Sequence, residues 1–182
     1  MSKPNRRPST AAISPRVTHP LIRIDFGLAT LLLAGLIARL VALRFQPTVA
    51  VDGTTYIRLA RALFGGTPFD TVQAPGYPFL IGLLHVAGFA DEVRAAQAVN
   101  VACGTLLLLP FFALARHTLR SRRGALLATL MLALTPLAIR YSATTLSETS
   151  FLLGVLTASA LAAADRPGLA GLAGGAAALI RP

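Results

Sequence analysis

Long apolar runs, set close together, limit this chain more than any other feature. Residues 24–45 are apolar almost without interruption, long enough as a helix to span about 30 Å of hydrocarbon. Further runs follow at 78–90, 94–115, 124–140, 146–164 and 168–180. A soluble domain devotes about a quarter of its residues to charge, whereas here 13% are charged and 54% are hydrophobic, too little charge to cover a wet surface. In lipid, backbone polar groups must be satisfied within the segment, so such runs become helices. The expected fold class is all-α, a polytopic transmembrane helix bundle over residues 24–182.

The net charge of +10 is concentrated at Lys3, Arg6, Arg7, Arg16 and Arg23, and again at Arg116, Arg120, Arg122 and Arg123. Both clusters abut apolar runs. They read as cytoplasmic flanks facing anionic lipid, and with no recognition module beside them they do not imply nucleic acid as a partner. Residues 1–23, rich in proline and cations, read as a disordered basic cytoplasmic tail, giving a multi-pass cell-membrane protein with its N-terminus inside. That long tail and Arg39 within the first run argue against a cleaved signal peptide. Arg39 lies near enough to the far end to snorkel toward headgroups. Cys103 is the sole cysteine and sits in an apolar run, so no disulfide framework or cysteine-based metal site exists.

Residues 46–93 form the expected outer-face loop. Within it, 53–64 has helical periodicity, with Tyr56, Leu59, Ala60, Leu63 and Phe64 on one face and Arg58 and Arg61 roughly opposite, as in a helix lying on the membrane surface. Gly65, Gly66 and Pro68 end it. The run 78–90 is short for a crossing. If it is a half-buried helix returning to the outer face, the cluster Arg116–Arg123 falls inside, as the positive-inside bias prefers. Asp52, Asp70, Asp91, Glu92 and Glu148 then all lie outside, and the helices at about 24–45, 94–115, 124–140, 146–164 and 168–180 cross. Pro110 is expected to kink the second of these. The small residues Gly168 to Gly175 suit close helix packing, and no Gly-Lys-Ser/Thr follows to make them a phosphate loop. His85 reads as a packed or hydrogen-bonded interior residue.

Asp52, just beyond the first crossing, has two readings: a general base for an acceptor hydroxyl or amine, or an N-cap of the following helix. Glu148 likewise is either a second outer-face acid, able with Asp52 to position an acceptor or a divalent metal, or the closing residue of a Thr145-Leu-Ser-Glu148 capping box. Arg58, Arg61, Arg94 and Arg181 are either interfacial cations or forked donors to a phosphate. No nucleotide-binding fingerprint is present.

The ordered series Val51-Asp52-Gly53-Thr-Thr-Tyr56-Ile-Arg58, Ala74-Pro75-Gly76-Tyr77-Pro78, Thr135-Pro136, Leu146-Ser147-Glu148-Thr149 and Leu179-Ile-Arg181-Pro182 resembles the amino-terminal part of the GT-C integral membrane glycosyltransferases. The closest subgroup is the family 39, protein-mannosyltransferase and aminoarabinose-transferase type with its bacterial relatives. The resemblance implies transfer of a sugar from a polyprenyl-phosphate carrier to an acceptor at the extracytoplasmic face, with inversion. It implies Asp52 as general base, Glu148 as auxiliary acid, and Tyr56, Arg58 and Arg181 at the donor phosphate. Family members often follow the base with a second acid, where Gly53 stands here; this weakens any case for a divalent metal held by Asp52 and Glu148. The family's chains are usually much longer, which implies a front portion of an enzyme, or one needing a partner, rather than a catalyst by itself. The contrasting expectation is a non-catalytic polytopic membrane protein, such as a subunit or transporter fragment.

Overall fold

A computed structural model describes residues 24–45, 49–68, 73–89 and 91–181. Among them all regular structure is helical: α1 (Phe26–Phe45), α2 (Val51–Gly65), α3 (Gly76–Val86), α4 (Glu92–Leu106), α5 (Leu108–Leu119), α6 (Arg122–Leu134), α7 (Pro136–Ala143), α8 (Glu148–Ala163) and α9 (Pro167–Ile180). The tail 1–23 lies outside the described residues, as does Asp70.

Local chemistry accounts for most helix ends. Gly66, at φ 70°, closes α2 in the left-handed region that a residue without Cβ adopts at no steric cost. Asp91 caps α4 by accepting from the Val93 N–H (2.9 Å), and Ser121 caps α6 by accepting from Gly124 N (3.3 Å). The ladder from Glu92 to Leu119 is interrupted at Leu107, one turn before Pro110, whose ring displaces the carbonyl one turn earlier. The run expected as one helix over 124–140 is two: α6 and α7 meet at Thr135–Pro136 with a bend of 54°. Proline disfavours helical backbone at the residue before it, and Thr135 is extended there (ψ 120°).

Among the described residues two helices, Phe26–Phe45 and Glu92–Leu119, are long and apolar enough to cross a membrane, and the bent pair α6–α7 makes a third if it counts as one span. At 20 residues α1 is about 30 Å long; α8 and α9, at 16 and 14 residues, fall short of that. Apolar side chains cover much of the outside: Leu33, Ile37 and Val41 of α1 are each about half exposed, Met131 74% and Leu172 73%. Surface of that kind belongs against lipid.

Three contacts fix how the helices are arranged end to end. At one end, Arg122 at the start of α6 pairs with Asp25 before α1 (Nε–Oδ2 3.0 Å). At the other end, Thr145 Oγ1 accepts from the Ala50 N–H before α2 (3.2 Å), and Arg181 after α9 pairs with Glu148 (3.0 Å). α1, α4–α5, α6–α7, α8 and α9 therefore run alternately between the two ends. α2 and α3 stay at the second end, where α2 packs on α3: a Cβ on Gly82 would lie 2.2 Å from the Phe64 ring. The start of α1 and the basic α5–α6 turn share the first end.

Two expectations about packing are corrected. Arg39 does not snorkel. It is fully buried, its Nε donating to Ser142 Oγ (3.1 Å) and its Nη1 to Gly35 O (2.9 Å). Gly104 makes the space, since a Cβ there would stand 2.8 Å from Arg39 Nε and 2.1 Å from Ser142 Oγ. The small residues of α9 do bring it close to α8, the helix it packs on most extensively. Gly154 of α8 meets Ala177 (a Cβ would approach to 2.7 Å), but Gly168, Gly171 and Gly175 face open space. His85, expected inside, is exposed, with Nδ1 bonded to Phe89 O (2.7 Å).

Candidate functional site

The second end of the bundle gathers stretches that are far apart in sequence. α2 begins at Val51 with Ala50 as its N-cap residue and no side-chain cap bond, so Asp52 stands inside the first turn and is not the cap. An acid there is favoured by the unpaired N–H groups and the positive end of the helix dipole. The Asp52 carboxylate is exposed and has no hydrogen-bond or ion-pair partner among the described residues.

One residue on, Gly53 lies against Thr145: a Cβ built at 53 would fall 1.9 Å from Thr145 Oγ1 and 2.8 Å from its carbonyl oxygen. No larger side chain fits. The position where a paired acid would stand is thus reserved for close approach of α2 to the α7–α8 connection. One turn beyond Asp52, the Tyr56 hydroxyl meets Ser147 Oγ at 3.1 Å. Positions i and i+4 share a helix face, so Asp52 lies on the side of α2 that turns toward Ser147.

Thr145 spends its hydroxyl oxygen on Ala50, so the capping box does not form, and α8 starts at Glu148 with Ser147 as an N-cap residue making no side-chain cap bond. The connection is held from below by buried Asn100, whose amide donates to Thr144 O and to Leu146 O (2.8 Å). Glu148 is therefore free of a capping role. Its Oε1 accepts from Arg181 Nη1 (3.0 Å). Its Oε2 is buried without a partner and lines a small cavity of about 60 Å³ with Tyr141, Ser142 and Thr149. The Pro75-Gly76-Tyr77-Pro78 turn reaches the same end. Gly76 lies on the end of α9, where a Cβ would be 2.6 Å from Leu179 O, and the Tyr77 ring meets Tyr56 edge-on with centroids 5.1 Å apart.

Tyr56, Glu148 and Arg181 are thus brought together, with Asp52 one turn from Tyr56. Arg58 is not: two residues round the helix from Tyr56 it points to roughly the opposite side and is exposed. Arg61 pairs instead with Glu92 (2.7 and 3.0 Å), which holds its guanidinium above the usual range, and Arg94 pairs with Asp91 (3.6 Å). The local sequence gave no sign of the pairings of Thr145, Ser147 and Asn100, because their partners lie 44 to 95 residues away. No known family model, curated protein or solved structure matches this chain. What the site can do is therefore read from its own geometry.

That geometry does not make a metal seat. Glu148 already shares an oxygen with Arg181, Gly53 has no room for a second acid, and among the described residues no three His, Cys, Asp or Glu side chains cluster as metal ligands. A carboxylate open to solvent, a second held by a guanidinium, and a tyrosine and a serine hydroxyl between them instead suit proton transfer and recognition of a hydroxylated or phosphorylated substrate.

Proposed function

We propose that this chain is a multi-pass membrane glycosyltransferase of the GT-C type, moving a sugar from a polyprenyl-phosphate carrier to an acceptor at the extracytoplasmic face. The observation that carries the reading is convergence. The Asp52–Tyr56 turn, the Gly76–Tyr77 turn, the Ser147–Glu148 helix start and the Leu179–Arg181 end meet at one end of the bundle, although they span most of the chain. The basic α5–α6 turn lies at the opposite end with the start of α1, which suits a cytoplasmic N-terminus and an outward-facing site.

In this reading the acceptor's hydroxyl or amine attacks the anomeric carbon from the face opposite the phosphate. Its proton passes to Asp52 as the new bond to carbon forms. The bond from carbon to the phosphate oxygen breaks, and its electron pair leaves with the carrier phosphate, so the anomeric centre inverts. Arg181 offers forked donors to that phosphate, and Tyr56 and Ser147 offer hydroxyl donors. Glu148 orients Arg181 and presents a second carboxylate oxygen to the acceptor side. α8 and α9 cross despite their length, their ends drawn in where the bilayer thins against them.

The test is transfer itself. Membranes from cells making the whole protein, supplied with radiolabelled polyprenyl-phosphate sugar, are expected to release label from the lipid phase into a glycosylated product. Membranes lacking the protein should not. Equal release from both leaves a non-catalytic membrane subunit as the reading.

A further inference from the structure

A groove of about 730 Å³ runs between α1 and α4. Its lining is ordered by depth. At the mouth stand Arg44, near the end of α1, and Arg94, in the first turn of α4, with Asp91 beside them. One helical turn below Arg94 is Gln97, and below that the walls are Leu36, Leu40 and Val101. Asp91 touches Arg94 at 3.6 Å, but Arg94 remains 81% exposed, so two cations and one anion leave a net positive mouth.

Gln97 is the unusual member. It is about nine-tenths buried, lines the groove, and has no hydrogen-bond partner among the described residues. Its amide keeps access to the groove, and an amide that faces hydrocarbon without a partner is costly, so an acceptor carried by a ligand is favoured there. The sequence cation, then amide, then hydrocarbon, read downward over about 12 Å of helix, matches the order phosphate, ester carbonyl, acyl chain in a glycerophospholipid.

We propose that the α1–α4 groove is a binding site for an anionic glycerophospholipid, its phosphate on Arg44 and Arg94, an ester carbonyl accepting from the Gln97 amide, and an acyl chain along Leu36, Leu40 and Val101. A polyprenyl phosphate fits the mouth equally well, but it carries no acceptor one turn beneath its phosphates, and Gln97 selects the ester lipid. The site requires the chain to stand in a bilayer but not to transfer sugar.

The test uses the whole protein purified in detergent, titrated with phosphatidylglycerol, phosphatidylcholine and polyprenyl phosphate, with retained lipid counted by native mass spectrometry. Phosphatidylglycerol is expected to bind about fivefold tighter than phosphatidylcholine, the factor that about 1 kcal/mol at one net surface cation supplies. Gln97→Leu should weaken phosphatidylglycerol severalfold without lowering the melting temperature, since it removes no bond within the described protein. Arg44→Gln with Arg94→Gln should abolish the preference between the two phospholipids. Ala102→Phe, which fills the groove, should prevent retention of either, whereas Arg116→Gln with Arg123→Gln at the opposite end should change nothing. Equal binding of the two phospholipids, an unaffected Gln97→Leu variant, or displacement of phosphatidylglycerol by equimolar polyprenyl phosphate would overturn the assignment. Failure of sugar transfer in the earlier assay leaves each of these outcomes readable.

Discussion

Arg39 shows what a single buried charge demands of its neighbours. Its guanidinium has five N–H donors, and in the bundle only two acceptors meet it, Ser142 Oγ and Gly35 O; Nη2 is left unpartnered, with no carboxylate beside it among the described residues. Desolvating a charge costs more than two neutral hydrogen bonds return, so replacing the whole group by an apolar one of similar length is expected to be neutral or stabilising. Arg39→Met should therefore hold or raise the thermal midpoint of the purified protein, whereas Ser142→Ala, which orphans a further donor, should cost about 1–3 kcal/mol. A large loss in Arg39→Met would mean that the guanidinium has a partner of its own. Gly53 makes the complementary point. The residue that separates this sequence from a paired-acid motif is fixed by Thr145, a steric reason that no reading of residues 51–56 alone supplies.

At the level of helices, what the sequence made legible was local. Apolar runs, Gly65-Gly66 and the prolines speak to their own neighbours, and from them an all-helical chain could be read. Pairings across the chain were not legible. The Thr145-Leu-Ser-Glu148 string matches a capping box, yet Thr145 turns to Ala50, whose amide at the start of α2 takes the hydroxyl oxygen a cap of α8 would need. The bend at Pro136 likewise came as a break, its Thr135 forced out of helical backbone by the following ring. Beside the apolar packing of Leu28 on Ala125, the Asp25–Arg122 pair joins α1 to α6 and carries a pH dependence of definite sign. The Arg122 guanidinium, with the Leu28 N–H, holds the Asp25 carboxyl below the usual aspartate range. A depressed value means the pair contributes fully above the unfolded aspartate range, near pH ~4, and is lost as pH falls through the lower folded value. The difference in melting temperature between the native protein and Asp25→Asn is thus expected at neutral pH and should vanish in acid. A difference that grew on acidification would exclude the pair as its source.

For the whole molecule, the alternation of helices between two ends turns a question about sequence into one about sides. Because Asp25 and Arg122 meet, the helices α2 and α3 do not add a traverse, and the α5–α6 turn returns to the side where α1 begins. If that side is cytoplasmic, a Cys103→Ser protein carrying Ser121→Cys is expected to resist an impermeant thiol reagent applied to whole cells, while one carrying Thr67→Cys is labelled. Labelling of both, or of residue 121 alone, would reverse or break the proposed orientation. The same alternation places Asp52, Tyr56, Glu148 and Arg181 at one end, so three stretches that are separate in sequence meet at one surface.

A direct measurement decides whether that surface does chemistry. Asp52→Asn keeps the size and polarity of the side chain and removes the capacity to take a proton, and no contact among the described residues depends on the carboxylate. Transfer of labelled sugar from its polyprenyl phosphate, measured in membranes holding equal amounts of inserted native and Asp52→Asn protein, is expected to fall by about a hundredfold or more in the variant, the contribution of a positioned base. Transfer at the native rate by the inserted variant would contradict a catalytic role for Asp52.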